Sequence, residues 1–359
     1  MLVSLIAALQ QPKFVDLADQ KQFQVLVDRE PGQYLGHPTT ALLPDGKTIL
    51  CVYPKGHGKG GILMKRSLDG GKTWSERLPT PKNWETSLET PTIHLVRDPG
   101  TGNHRLLLWS GLYPARIASS DDLGNTWTEL APVGKWGGIV VMGHLEQRSD
   151  GRIFAYFHDD GRFFTQGGKA QGTFTLYRTE SNDGGRTWRQ PTTMWSGSDV
   201  HLCEPGVIPA PSGPGRVMLL RENRRIKNSH MMVSQSEGSA WSKPTEVGNW
   251  LTGDRHTGKY APDGRLVISF RDMDKQSPTW GDWVAWVGTY EDLLLNRPGQ
   301  YRIRLMDNTK DSDCAYPGVE VLSDGTFVLT TYGHWTKGEP PYIMSVRFRL
   351  SEIDALATR

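Results

Sequence analysis

Ser67-Leu68-Asp69-Gly70-Gly71-Lys72-Thr73-Trp74 returns as Ser120-Asp121-Asp122-Leu123-Gly124-Asn125-Thr126-Trp127 and again as Ser181-Asn182-Asp183-Gly184-Gly185-Arg186-Thr187-Trp188. A worn copy, Ser234-Gln235-Ser236-Glu237-Gly238-Ser239-Ala240-Trp241, keeps the first Ser, the Gly and the Trp. The pattern Ser-x-Asp-x-Gly-x-Thr-Trp has a local physical reading. Ser and Asp side chains cap the backbone N–H groups of a tight turn, Gly takes a positive φ, and Trp plugs the space between neighbouring sheets. The octet is therefore read as structural rather than catalytic.

A hairpin stands upstream of each octet, and two further hairpins follow without one. The clearest follows Tyr316-Pro317-Gly318-Val319: an apolar strand, the turn Asp324-Gly325, and a second strand from Thr326 to Tyr332. Five earlier hairpins open at His37, Thr90, His144, Glu204 and His256, so successive openings lie 53, 54, 60, 52 and 60 residues apart. From opening to the octet's third residue is 32 residues in units one, two and four and 39 in unit three. Six hairpins at a near-constant period describe a radial repeat, in which each unit buries its faces against its neighbours. Such a repeat argues for one domain over residues 1–359.

Composition sets further bounds. Among 359 residues, Gly 40, Pro 23 and Trp 13 suit many short strands and turns. A formal charge of +2 is too small to imply nucleic acid. Three cysteines, Cys51, Cys203 and Cys314, have no metal-ligand spacing, and their odd number argues against a disulfide framework. No metal or other cofactor is expected. Nothing approaches a transmembrane span. The apolar opening Met1 to Leu9 reads either as a short or clipped signal peptide, giving a secreted or periplasmic protein, or as a first strand.

The octets at this spacing resemble the Asp-boxes of the sialidase (neuraminidase) superfamily. The resemblance covers essentially the whole chain and implies an all-β fold: a six-bladed β-propeller of four-stranded antiparallel blades with Asp-box turns. Unit six lacks one outer strand, which the N-terminal segment, about residues 1–30 and near Phe23–Val27, is expected to supply. In such a blade the innermost strand begins, and the second strand ends, on the face where substrates bind. The strand openings thus rim a central pit with His37, Thr90 beside Glu89, His144, Glu204, His256 and Tyr316. The second-strand ends add His57, His158-Asp159-Asp160, Arg221 to Arg225 including Arg224, and Arg271. So many titratable and guanidinium groups around one axis point to a site.

The same resemblance implies chemistry. The anomeric carbon of a sialoside already carries a carboxylate, so sialidases replace a carboxylate nucleophile by a tyrosine that a glutamate activates, with arginines clamping the substrate carboxylate. Tyr316 resembles the nucleophile, Glu204 its partner and Arg221 one arginine; Arg271, or in its place Arg255, resembles another. Two departures stand out. The family's first arginine falls on Gly36 of Gly36-His37-Pro38, and no acidic residue lies between Asp45 and Asp69, where the acid/base aspartate belongs. His57, or Asp159 or Asp160, is the replacement acid, or Lys55 and His57 bind an anion.

Three functions fit these residues. The favoured one is an exo-glycosidase releasing a terminal acidic sugar from a glycan. The others are a propeller lyase acting on uronate polysaccharides and a carbohydrate-binding propeller without turnover.

Overall fold

A computed structural model describes residues 11–358; the proposed signal-peptide stretch Met1 to Leu9 lies outside them. The chain is all-β and forms a six-bladed β-propeller. Blade one holds Thr39–Leu42, Ile49–Pro54 and Ile62–Ser67, and blade two runs from Thr92–Arg97 to Ala131–Pro132. Blade three runs from Ile139–Gln147 to Thr192–Gly197, and blade four from Leu202–Pro209 to Thr245–Glu246. Blade five spans Gly253–Tyr260 to Tyr301–Met306. Blade six holds Gly318–Val321, Phe327–Gly333 and Tyr342–Phe348. Within each blade consecutive strands are antiparallel, as hairpin connections require.

Blades five and one depart from a uniform four strands, and the N-terminal segment supplies a strand to each of blades six and five. Gln24–Asp28 adds antiparallel to Tyr342–Phe348 and makes blade six four-stranded. Lys13–Asp16 pairs parallel with Tyr301–Met306 and makes blade five five-stranded. Blade one has three strands among the described residues. One segment thus covers the outer edges of two neighbouring blades, which removes two exposed ladders at once. Blades six and one meet at Gly318, where a Cβ would stand 2.2 Å from the Thr40 hydroxyl; only glycine fits that seam.

The boxes form the turns predicted for them. Asp122 accepts from the backbone N–H of Asn125 and Thr126 at 3.0 and 2.8 Å and from the Thr126 hydroxyl at 2.6 Å, while Ser120 Oγ accepts from Gly124 N–H at 2.7 Å. Asp69 and Asp183 repeat the arrangement. In the worn copy Ser236 reaches one N–H only, that of Ala240.

The boxes also join blades. Gly71, Gly124, Gly185 and Gly238 all have positive φ. A Cβ on them would strike Val328, Leu50, Leu107 and Tyr156 at 2.7, 2.6, 2.4 and 2.2 Å, each on the second strand of the preceding blade. The box glycine is therefore fixed twice, by its backbone and by the blade it docks on. The box tryptophans are half-buried: Trp127 packs edge-on against Trp84 at 5.3 Å and Trp188 against Trp109 at 4.8 Å.

The Thr126 hydroxyl and N–H hold the Asp122 carboxyl down to about 2. A carboxyl depressed by folding contributes stability that is present above its unfolded value near 3.9 and is lost as pH falls toward the folded value. Asp122→Asn is therefore expected to lower the thermal midpoint at neutral pH, with the gap to the parent closing as pH approaches 2. A gap independent of pH would show that the charge is not what stabilises the turn.

Candidate active site

The inner strands enter the ring through backbone that sequence patterns do not announce. His37, Val140, Glu204, Arg255 and Ala315, at the mouths of five blades, have φ of 51°, 50°, 52°, 58° and 54°. In blades three, four and five a register shift sits beside that residue. A bulge with a left-handed residue re-aims a side chain, and a non-glycine residue stays there only where its surroundings enforce it. Here the device turns side chains from the sheets toward the axis.

Of these five, His37, Val140 and Glu204 line a pit of about 500 Å³, together with Tyr316, Arg221, Glu89 and His57. The Tyr316 hydroxyl donates to Glu204 Oε1 in a short hydrogen bond. Arg221 Nη1 donates to the same oxygen at 2.8 Å and lies 3.4 Å from the Tyr316 hydroxyl. Glu204 Oε2 is buried with no partner among the described residues. His37 packs edge-on against Tyr316 with ring centroids 4.5 Å apart, its Nδ1 accepting from Gly58 N–H and its Nε2 meeting the Tyr332 hydroxyl at 3.2 Å.

Charge in the pit is set by a carboxylate beneath it. Asp254 is fully buried and contacts Arg221, Arg225 and Arg271. Burial alone would raise its pKa, but the three guanidiniums hold it well below the carboxylate range. Burial likewise pushes Glu204 up, yet Arg221 and the Tyr316 hydrogen bond keep it low, so it is ionised. Tyr316 moves the other way: burial and the Glu204 charge push its phenol well up. The pair therefore rests as phenol and carboxylate, with the proton on Tyr316 and an acceptor in contact. Burial keeps His37 and His158 neutral, His158 down to about 4. The arrangement can deliver a phenolic oxygen to an electrophile while Glu204 takes its proton.

No family model matches the chain. In an alignment 243 positions long that covers 58% of this chain, it is 26% identical to a sialidase of Micromonospora viridifaciens, and the match takes in 36% of that protein's length. Its fold superposes on NanB sialidase of Streptococcus pneumoniae with a TM-score of 0.62 at 13% identity, covering 92% of this chain and 71% of the other. The chain is a six-bladed propeller that resembles these sialidases. An α-L-arabinofuranosidase of Fusarium graminearum, solved with arabinobiose, shares the fold at a TM-score of 0.63 and 14% identity over 92% of this chain and 98% of its own.

Not every residue singled out from the sequence of this sialidase-like propeller lines the pit. Tyr316, Glu204, Arg221, His37 and His57 do. Asp159 does not: its carboxylate is buried and accepts from the N–H groups of Gly161, Phe163 and Phe164, capping the loop that follows its strand. Arg271 lies behind Tyr316, bound to Asp254 and to the carbonyls of Ser312 and Cys314 at 2.6 and 3.2 Å. It pins the approach to Tyr316. Arg224 is exposed and holds the carbonyls of Ser198 and Asp199. His144 and His256 line a second, axial cavity of about 370 Å³, further down the inner strands. Blade three begins at Ile139 and blade five at Gly253, so both histidines fall inside their strands rather than at the mouths.

Where the family's first arginine would stand, a Cβ on Gly36 would meet the Tyr34 ring at 2.5 Å. Tyr34, Tyr332 and His334 fill that corner by gathering around Asp313 at 2.8, 3.2 and 3.1 Å. Asp254 and Asp313 escaped sequence reading because each works through partners distant in sequence, Asp254 through Arg221 and Arg225 of blade four and Asp313 through Tyr34. Glu89, read only as a neighbour of Thr90, faces the pit itself.

Proposed function

We propose that the protein is an exo-acting glycoside hydrolase that releases a terminal acidic sugar, sialic acid or a related nonulosonate, from glycans through Tyr316. The observation that carries this reading is the Tyr316–Glu204–Arg221 cluster in the wall of a pit the size of a small glycan. In the first half-reaction the Tyr316 oxygen attacks the anomeric carbon and its proton passes to Glu204. The glycosidic bond breaks and its electron pair leaves on the aglycone oxygen, which takes a proton. Water then displaces Tyr316, which recovers its proton from Glu204. A neutral phenol at rest avoids the repulsion that a carboxylate nucleophile would meet beside the sugar's own carboxylate.

Recognition of that carboxylate falls to Arg221. Asp254 contacts all three arginines and hydrogen-bonds Arg225 and Arg271, whereas Arg221, whose Nε faces Asp254 and whose Nη1 donates to Glu204, keeps Nη2 without a protein partner among the described residues. Exposed Lys59 on the pit wall adds positive charge. Substrates of this kind are displayed on cell surfaces and secreted glycans, which fits export; no helix among the described residues is long and apolar enough to cross a membrane.

Incubation with 3′-sialyllactose should release free sialic acid. Arg221→Lys keeps the charge but loses the planar fork, so KM for acidic glycosides should rise roughly 10- to 100-fold while neutral glycosides change little. Ultraviolet absorbance from an unsaturated uronate instead of free sialic acid would replace this reading by a lyase, in which neutral His37 beside Tyr316 supplies the base.

A further inference from the structure

We infer that Glu89 is the acid that protonates the departing aglycone oxygen, an assignment that rests on the glycosidase reading above. Blade one offers no carboxyl for this proton transfer, since no acidic residue lies between Asp45 and Asp69. Glu89 occupies the mouth of blade two. With Glu204 at blade four and Tyr316 at blade six, it completes a set on alternate blades around one pit.

The surroundings of Glu89 are built around its carboxyl. Oε1 accepts from Thr90 N–H at 3.0 Å and Oε2 from Val140 N–H at 3.1 Å, Val140 being the left-handed residue at the mouth of blade three. A Cβ on Gly111 would stand 2.9 Å from Glu89 Cγ and 3.0 Å from the Gly138 carbonyl, so glycine leaves room for the side chain. A Cβ on Gly58 would stand 3.9 Å from Glu89 Oε1, and Gly58 N–H donates to His37, whose ring lies against Tyr316. Glu89 and the nucleophile thus share one continuous wall.

Burial raises the Glu89 pKa; the two N–H groups oppose this, and the Glu204 charge adds to it. A carboxyl raised in this way keeps its proton where Glu204 has lost its own, and two carboxyls with opposed protonation are what acid and base roles need. The other candidates are less suited. Asp159 does not line the pit, its carboxylate being turned into its own loop, and the His57 side chain is 67% exposed. In the step itself the Glu89 O–H proton moves to the glycosidic oxygen as the bond to the anomeric carbon breaks. The resulting carboxylate then takes a proton from the water that displaces Tyr316, which restores the acid.

The test compares two leaving groups on one sugar. 3′-Sialyllactose leaves as an alcohol that needs a proton, whereas the 4-nitrophenyl sialoside leaves as a stable phenolate. Glu89→Gln should lower kcat/KM on sialyllactose about 10²- to 10⁴-fold and on the 4-nitrophenyl substrate by less than about tenfold. The alkaline limb of the kcat/KM profile, where Glu89 loses its proton, should vanish. Equal loss on both substrates, or no loss on either, overturns the Glu89 assignment and leaves the glycosidase reading standing. Parent enzyme that cleaves neither substrate overturns the glycosidase reading and the Glu89 role with it. If circular dichroism finds Glu89→Gln unfolded, Glu89→Asp serves on the same pair: slowed on sialyllactose with its alkaline limb kept supports the acid, and uniform slowing overturns it.

Discussion

Tyr316→Phe is expected to reduce kcat on sialosides by about 10⁴-fold or more, the scale on which a catalytic unit fails when its nucleophile is removed. Phe keeps the ring that packs against His37, so the loss isolates the hydroxyl. Glu204→Gln should come close to the same deficit, because a phenol that burial and a neighbouring charge hold protonated attacks only if its proton has somewhere to go. The double variant should be scarcely worse than either single one, since the two groups act as one unit. Binding of a non-hydrolysable sialoside should survive Tyr316→Phe, because Arg221 is untouched. A 2,3-difluoro sialic acid should attach to the Tyr316 peptide as a mass shift. Full activity in Tyr316→Phe together with no labelled peptide would remove Tyr316 from the chemistry.

The largest loss of stability is expected from Trp109→Ala, at about 3–5 kcal/mol by equilibrium denaturation. Trp109 is fully buried at the end of the second strand of blade two, with Trp136 at 6.2 Å and the box residue Trp188 at 4.8 Å. It fills the wedge between blades two and three, packed in one cluster with Trp136, Met142 and Phe157. Its indole N–H has no partner among the described residues, so the loss is one of packing rather than of a hydrogen bond. Trp127→Ala, half-buried against Trp84, should cost less. Equal effects of the two variants would mean that burial between blades is not what sets the stability.

The fold was legible because its signals are local and repeated. Each box places Asp three and four residues before the N–H groups it caps, so one octet carries its whole reason. The hairpin period fixed the number of blades. Tyr316, Glu204 and Arg221 were legible for a related reason, since a strand opening or end in a propeller has a predictable face. The same logic misplaced His144 and His256, because bulged strands in blades three and five begin earlier than the apolar pattern suggests. It also left Glu89 beside Thr90 without a role, because what aims Glu89 is the Val140 N–H of the next blade.

What the sequence determined alone was therefore everything carried by short-range spacing: all-β class, six blades, box turns, and the residue types brought to one rim. Tertiary structure decided what depends on distant partners. The Lys13–Asp16 segment pairs with a strand almost the whole chain away, and Asp254 holds Arg225 and Arg271 outside the pit lining while Arg221, which it also contacts, stays in it. Tyr34 closes the corner beside Gly36, an arrangement that needs Asp313 from the other end of the chain. These choices rest on which buried charges find one another, and a charge in a low-dielectric interior is governed by its nearest neighbours in space rather than in sequence.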